Sequence, residues 1–166
     1  MQNRRELFSD KELQSLFPKG TENKIKEKLL RVIDVNFNRC KEGLRVVEDI
    51  FRFIVEDEKL RKNVRKVRHN LDELVQGEEF WQQLVRSRDS QNDSGKEIDK
   101  WEEKRENLFV LLYANLQRAK ESIRVLEEFL KIIDSKKVKI VKSLRYELYS
   151  LEKEALSRGA ALCNSR

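Results

Sequence analysis

The sequence predicts an all-α protein: a four-helix bundle built from a duplicated long-helix hairpin, with short N-terminal and inter-repeat helices. Composition is the first reason. Of 166 residues, 40% are charged and 39% hydrophobic, but 5 are Gly and 1 is Pro. Sheets and tight turns draw on more Gly and Pro, so the chain reads as long helices joined by few turns. The second reason is an internal repeat. Residues 34–54 (DVNFNRCKEGLRVVEDIFRFI) align with 113–133 (YANLQRAKESIRVLEEFLKII) at an offset of 79. Asn36 meets Asn115, Arg39 meets Arg118 and Glu42 meets Glu121. Further on, at an offset of 77, Val64, Val67, Arg68, Leu71 and Leu74 meet Val141, Leu144, Arg145, Leu148 and Leu151. The third reason is period. Ile33, Phe37, Cys40, Leu44, Val47, Phe51 and Ile54 alternate spacings of four and three, as do their counterparts Leu112 to Ile133. That is a helical seam.

The elements follow in order within a single domain, 1–166. Ser9 and Glu12 form a capping box before a short helix ending near Phe17-Pro18. A long helix is expected from Glu22 to Ile54. A turn at Val55 to Glu58 leads to a second helix with the seam Leu60, Val64, Val67, Leu71, Leu74, closing the first hairpin (22–76). Residues 77–97 hold a short helix, Glu78 to Arg86, with Trp81 as a core anchor, and then the polar loop SRDSQNDSGKE. The second hairpin (98–158) begins with a helix from Ile98 to Ile133. It turns at Asp134 to Lys136 and ends on the seam Val141, Leu144, Leu148, Leu151. Two such hairpins fit a bundle with a pseudo-twofold axis.

Several function classes are excluded. No apolar run approaches a membrane span. Met1 to Asp10 has no apolar signal core, which points to the cytoplasm. Cys40 and Cys163 give neither a disulfide framework nor a zinc spacing. There is no GxxxxGK[ST] loop and no GxGxxG turn, and a single histidine rules out His-rich metal sites. The formal charge of +6 suits phosphorylated metabolites as well as nucleic acid. Basic clusters recur at 59–68 and 136–145, and a run of acids, Glu56 to Glu58, precedes the first; that mixture argues against a nucleic-acid stripe.

A second stripe runs beside the seam: Val32, Asn36, Arg39, Gly43, Val46, Ile50, Phe53, matched by Leu111, Asn115, Arg118, Ser122, Val125, Phe129, Ile132. Its apolar ends imply a neighbour, while its middle is Asn, Arg and a small residue. Gly inside a helix costs up to ~1 kcal/mol, which suggests that space is wanted beside Arg39. One reading is a pocket. Arg39 and Arg118 offer planar forks for phosphate or carboxylate, Asn36 and Asn115 can read a heterocycle edge, and Gly43 and Ser122 leave room. Arg68 and Arg145 recur and could point the same way. The other reading is helix packing, with Arg and Asn satisfying a partner helix. In the loop, Asp89 and Asp93, with Ser90 and Gly95, could hold Mg2+ or close over a ligand, or simply connect two helices. Glu42, Arg45 and Asp49, with Glu121, Arg124 and Glu128, are spaced for ion pairs on a solvated face. His69 reads as a packing residue and Cys40 as a small apolar one.

The runs RVIDVNFNRCKEGLRVVEDIFRF, RHNLDEL, SRDSQNDSG, ANLQRAKESIRVLEEF and LRYELYSLE follow a family in order. The chain resembles, over residues 28–154, the helical domain N-terminal to some bacterial thiamine-phosphate synthases (thiamine-phosphate pyrophosphorylases), also found alone. The resemblance implies a role in thiamine biosynthesis. That family has been proposed as an alternative hydroxymethylpyrimidine-phosphate kinase. Its matching residues are Asn36, Arg39, Glu42, Arg45, Glu48 and Arg68, then Asn115, Arg118, Glu121, Arg124 and Glu127. In the loop, Arg88, Asp89, Asp93 and Gly95 match, with Ser90 where the family has Thr and Ser94 where it has Val. The synthase barrel itself needs ~250 residues, so the chain alone is not expected to be a complete synthase.

Three functions follow. As an enzyme, the chain would phosphorylate hydroxymethylpyrimidine phosphate. Arg39 and Arg118 would bind phosphate, Asp89 and Asp93 would act as the catalytic acids holding Mg2+, and ATP would be the donor. As a binding module, it would hold the precursor and hand it to a thiamine-phosphate synthase. As an interaction protein, it would take no small ligand. A homodimer is compatible with any of these, and one shared site or two equivalent sites remain open.

Overall fold

The structure, a computed structural model, describes residues 21–93, 95 and 104–163. The expected capping box at Ser9 and Glu12 lies outside these residues. Helix α1 spans Glu22–Phe53. Helix α2 spans Glu58–Asn70 and runs into a 3-10 turn, Leu71–Val75. Helix α3 is Glu78–Arg86 and α4 is Leu108–Ile133. A 3-10 turn, Ser135–Lys137, leads into α5, Val138–Cys163. No strand occurs among the described residues.

The seams explain the bundle. Ile33, Phe37, Cys40, Leu44, Val47 and Phe51 of α1 are buried, as are Leu112, Leu116, Ala119, Ile123, Leu126 and Leu130 of α4. The seams of α2 and α5 join the same core. Each fully buried Leu contributes ~1.5–3 kcal/mol of burial. Helix α1 packs most extensively on α4, α4 on α5 and α1 on α2, while α2 touches α5 only lightly. The ends of the second stripe differ from expectation. Phe53 and Ile132, at equivalent places, are exposed.

The α1–α4 crossing sets the geometry of everything outside it. The Cys40 thiol donates to the Ala119 carbonyl at 3.5 Å, so two equivalent residues meet there. One turn on, a Cβ at Gly43 would lie 2.8 Å from the Asn115 carbonyl oxygen. The helices therefore run antiparallel, and Gly43 is required by the close approach. This corrects the expectation that Gly43 leaves room for a ligand: a backbone carbonyl occupies that space.

Equivalent ion pairs tie each hairpin. Arg68 Nε donates to Glu48 Oε2 at 2.9 Å, and Arg145 Nε donates to Glu127 Oε2 at 2.6 Å. Helix starts follow from capping. The Asp57 carboxylate accepts from the Leu60 N–H, after Glu56 turns the chain in the left-handed region (φ 56°). Asn107 accepts from the Val110 N–H at 2.9 Å, so α4 starts at Leu108 and not at Ile98. Residues 104–107 (KREN) offer no apolar face to bury.

Two packing expectations are corrected. Trp81 is 40% exposed, and Leu84 is the buried member of α3. Trp81 instead sets its edge against Phe37 (6.3 Å between ring centres) and lies under the Arg88 guanidinium. His69 is exposed beside Asp72, because it falls off the Val64–Val67–Leu71 seam. No helix among the described residues is long and apolar enough to cross a membrane.

Candidate functional site

On the outer face of α1 and α4 lies an open groove of about 740 Å3. Asn36, Arg39 and Glu42 line it from α1, and Tyr113, Gln117, Arg118, Glu121, Ser122 and Val125 from α4. Arg39 and Arg118 are both exposed, and neither makes a hydrogen bond or ion pair with a described residue. Glu42 and Glu121 stand in the same condition at the groove edge, whereas Arg45 pairs with Asp49 and Arg124 with Glu128 as their spacing predicts.

The amides of the groove have fixed orientations. Asn36 Nδ2 donates to the Val32 carbonyl at 2.9 Å, and Asn115 Nδ2 to the Leu111 carbonyl at 2.8 Å. Gln117 Nε2 donates to Glu152 Oε1 at 3.2 Å, and the Lys120 ammonium holds the same carboxylate at 2.6 Å. An amide nitrogen committed to a carbonyl or carboxylate leaves the oxygen as the group on offer. Asn115 itself does not line the groove, because it sits where α1 crosses α4.

Residues 88–93 close a second hollow of about 470 Å3 beside the first, and Arg39 and Glu42 wall both. The Arg88 guanidinium forks onto Asp34, Nε to Oδ2 at 2.7 Å and Nη2 to Oδ1 at 2.8 Å. Asp34 is buried, so this bidentate pair anchors the loop on α1. Arg31 donates to the Asp89 carbonyl at 2.7 Å and lies 3.5 and 3.4 Å from the carboxylates of Asp89 and Asp93. Ser90 lines this hollow too. The Gly95 N–H donates to Asp93 Oδ1, which, with the Arg31 charge, holds the Asp93 carboxyl below the usual carboxylate range.

Of the residues singled out from the sequence, the structure brings Asn36, Arg39, Arg118 and Ser122 together in one groove, and Arg39, Arg88, Asp89, Ser90 and Asp93 in its neighbour. Arg68 and Arg145, which could have pointed the same way, are turned inward onto buried Glu48 and Glu127 and line neither hollow. Arg145 is further bracketed by the rings of Tyr146 and Tyr149. Mg2+ finds a poor fit at the loop acids. All four oxygens of Asp89 and Asp93 already face protein donors, those of Asn92, Gly95 and Arg31. No cluster of three metal-ligating side chains occurs among the described residues. Sequence reasoning missed Arg31, Asp34, Tyr113 and Gln117. Their signal was the reverse of the one followed: they are positions where the two repeats differ.

Comparison with known proteins decides the family. The ThiD2 family model matches residues 31–154, which contain every residue lining both hollows. The chain belongs to the ThiD2 family. Curated relatives of this ThiD2 chain are named thiamine-phosphate synthase. That of Synechocystis sp. is 38% identical over 125 residues, 75% of this chain and 35% of the relative. That of Nostoc punctiforme is 32% identical over 136 residues, 81% and 37%. That of Rhodopirellula baltica is 34% identical over 137 residues, 81% and 36%. The ThiD2 chain thus spans about a third of the length of these relatives. No solved structure matches.

Proposed function

We propose that this chain acts in thiamine biosynthesis by binding a phosphorylated aminopyrimidine precursor in the α1–α4 groove. One observation carries the reading: Arg39 and Arg118 face a single groove, and neither has a hydrogen-bond or ion-pair partner among the described residues. An unpaired guanidinium keeps its planar fork free for phosphate. The relatives' synthase name supports the pathway. The family resemblance supplies the pyrimidine. In its carrier form, the bundle hands this ligand to a thiamine-phosphate synthase.

The test is calorimetric titration with hydroxymethylpyrimidine phosphate. Arg39→Ala and Arg118→Ala should each weaken binding about ten-fold or more, the scale of a lost charged hydrogen bond. Stability should stay within about 0.5 kcal/mol, as for exposed side chains without partners. Absence of binding, or unchanged affinity in both variants, would refute the reading and leave an interaction protein.

A second reading, phosphoryl transfer, draws on one further observation: the two hollows share Arg39 and Glu42 as a common wall. A monophosphate in one and ATP in the other would meet at Arg39. An oxygen of the bound phosphate would attack the γ-phosphorus, the bond to the bridging oxygen would break and ADP would leave. Formation of the pyrimidine diphosphate from ATP, with and without Mg2+, tests it. Binding without product would leave the carrier.

A further inference from the structure

We infer that the α4 side of the groove is the specificity site for the heterocycle, with Gln117 reading an exocyclic amine and Tyr113 supplying the stacking face. The inference rests on the proposed pyrimidine-phosphate reading and goes on to say what selects the ring. Gln117 carries the amine reading. Its Nε2 donates to Glu152, and Glu152 is held in turn by Lys120, so the amide is locked from behind. The amide's Oε1 is then the atom available to the groove, and an oxygen acceptor selects a ligand that brings an N–H donor. Asn36 adds to the same bias, because its Nδ2 is committed to the Val32 carbonyl. Carboxylates at Glu42 and Glu121 are acceptors as well. Apart from the hydroxyls of Tyr113 and Ser122, which can donate or accept, the groove offers acceptors to a ring, and its cationic donors, Arg39 and Arg118, suit an anion.

Tyr113 supplies the second half. It is 45% exposed, lines the groove one helical turn before Gln117, and has no ring, cation or hydrogen-bond partner among the described residues. An open aromatic face beside an acceptor suits a flat amino-heterocycle. Stacking tolerates any ring, so discrimination must come from the hydrogen bond. A 4-aminopyrimidine phosphate offers the amine, the ring and the anion at once. The 4-oxo analogue keeps the ring and the anion but places an acceptor against Gln117 Oε1.

The experiment titrates the whole chain with hydroxymethylpyrimidine phosphate, with its 4-oxo analogue and with inorganic phosphate. The native protein should prefer the amine about ten-fold or more over the oxo compound. Gln117→Leu should bring the two within about three-fold while leaving inorganic phosphate unchanged. Tyr113→Leu should weaken both pyrimidines about ten-fold and preserve their ratio, and Tyr113→Phe should restore both. A structural role alone would move the melting temperature and not the ratio. Full discrimination in Gln117→Leu would overturn the inference and leave the phosphate reading standing. Failure of native protein to bind either pyrimidine would overturn both.

Discussion

In the first half of the bundle, Asp34 and Arg31 hold Arg88 and Asp89 at the hollow that Arg39 also walls. In the second half, the equivalent positions are Tyr113 and Val110, and no described loop residue reaches Tyr113. Arg118 and Arg39 are both exposed in the groove, and only Arg39 also walls the hollow beside the loop. Elsewhere the halves agree: Cys40 meets Ala119, and Glu48–Arg68 matches Glu127–Arg145. Residues that match across the repeat build the scaffold. Residues that differ at matched places make the outer face lopsided, and so favour one composite site over two equivalent ones.

The largest effect should fall on the matched scaffold. Arg68→Ala strands Glu48, which is 1% exposed, and should cost about 3–5 kcal/mol in urea unfolding. Arg145→Ala should cost less, because Arg124 also reaches Glu127 at 3.2 Å. Equal losses would mean that the two pairs are interchangeable.

A smaller effect should appear at the mismatch. Asp34→Asn weakens the fork to Arg88, so hydrogen exchange in residues 88–93 should quicken about ten-fold, corresponding to ~1.4 kcal/mol of loop docking. Tyr113→Asp should leave that loop unchanged. Protection lost in both variants would show that the halves hold the loop jointly.

The smallest effect at neutral pH concerns Cys40 at the crossing, and it grows only in alkali. Burial pushes its thiol up to about 12 from 9.0. The folded thiol stays protonated where the unfolded one ionises, so its contribution is complete below pH 9. Between about pH 9 and 12 it should fall by up to ~1.4 kcal/mol per pH unit. Cys40→Ala, which copies Ala119, should remove that slope in alkaline unfolding while costing about 1 kcal/mol or less at pH 7.

The bundle was legible in the sequence because a seven-residue seam repeated in four segments has one economical packing. The stripe of Asn36, Arg39, Arg118 and Ser122 was legible for the same reason. Gly43 was seen to be special, but its cause was not: whether a missing side chain admits a ligand or a carbonyl depends on how two helices cross. Arg68 and Arg145 repeat as faithfully as Arg39 and Arg118, and periodicity alone cannot tell an arginine paired inward from one left open. Partners twenty or fifty residues away, such as Glu48 for Arg68 and Asp34 for Arg88, exist only once the chain is folded. The start of α4 was misread because residues 104–106 are helix formers dense in charge, with no apolar face to bury.

The most direct test of the lopsided site is the stoichiometry of hydroxymethylpyrimidine phosphate binding to the whole chain by calorimetry. One molecule per chain, lost to saturation in both Arg39→Ala and Arg118→Ala, is the predicted result. Two molecules per chain, each sensitive to only one arginine, would contradict it and restore two equivalent sites.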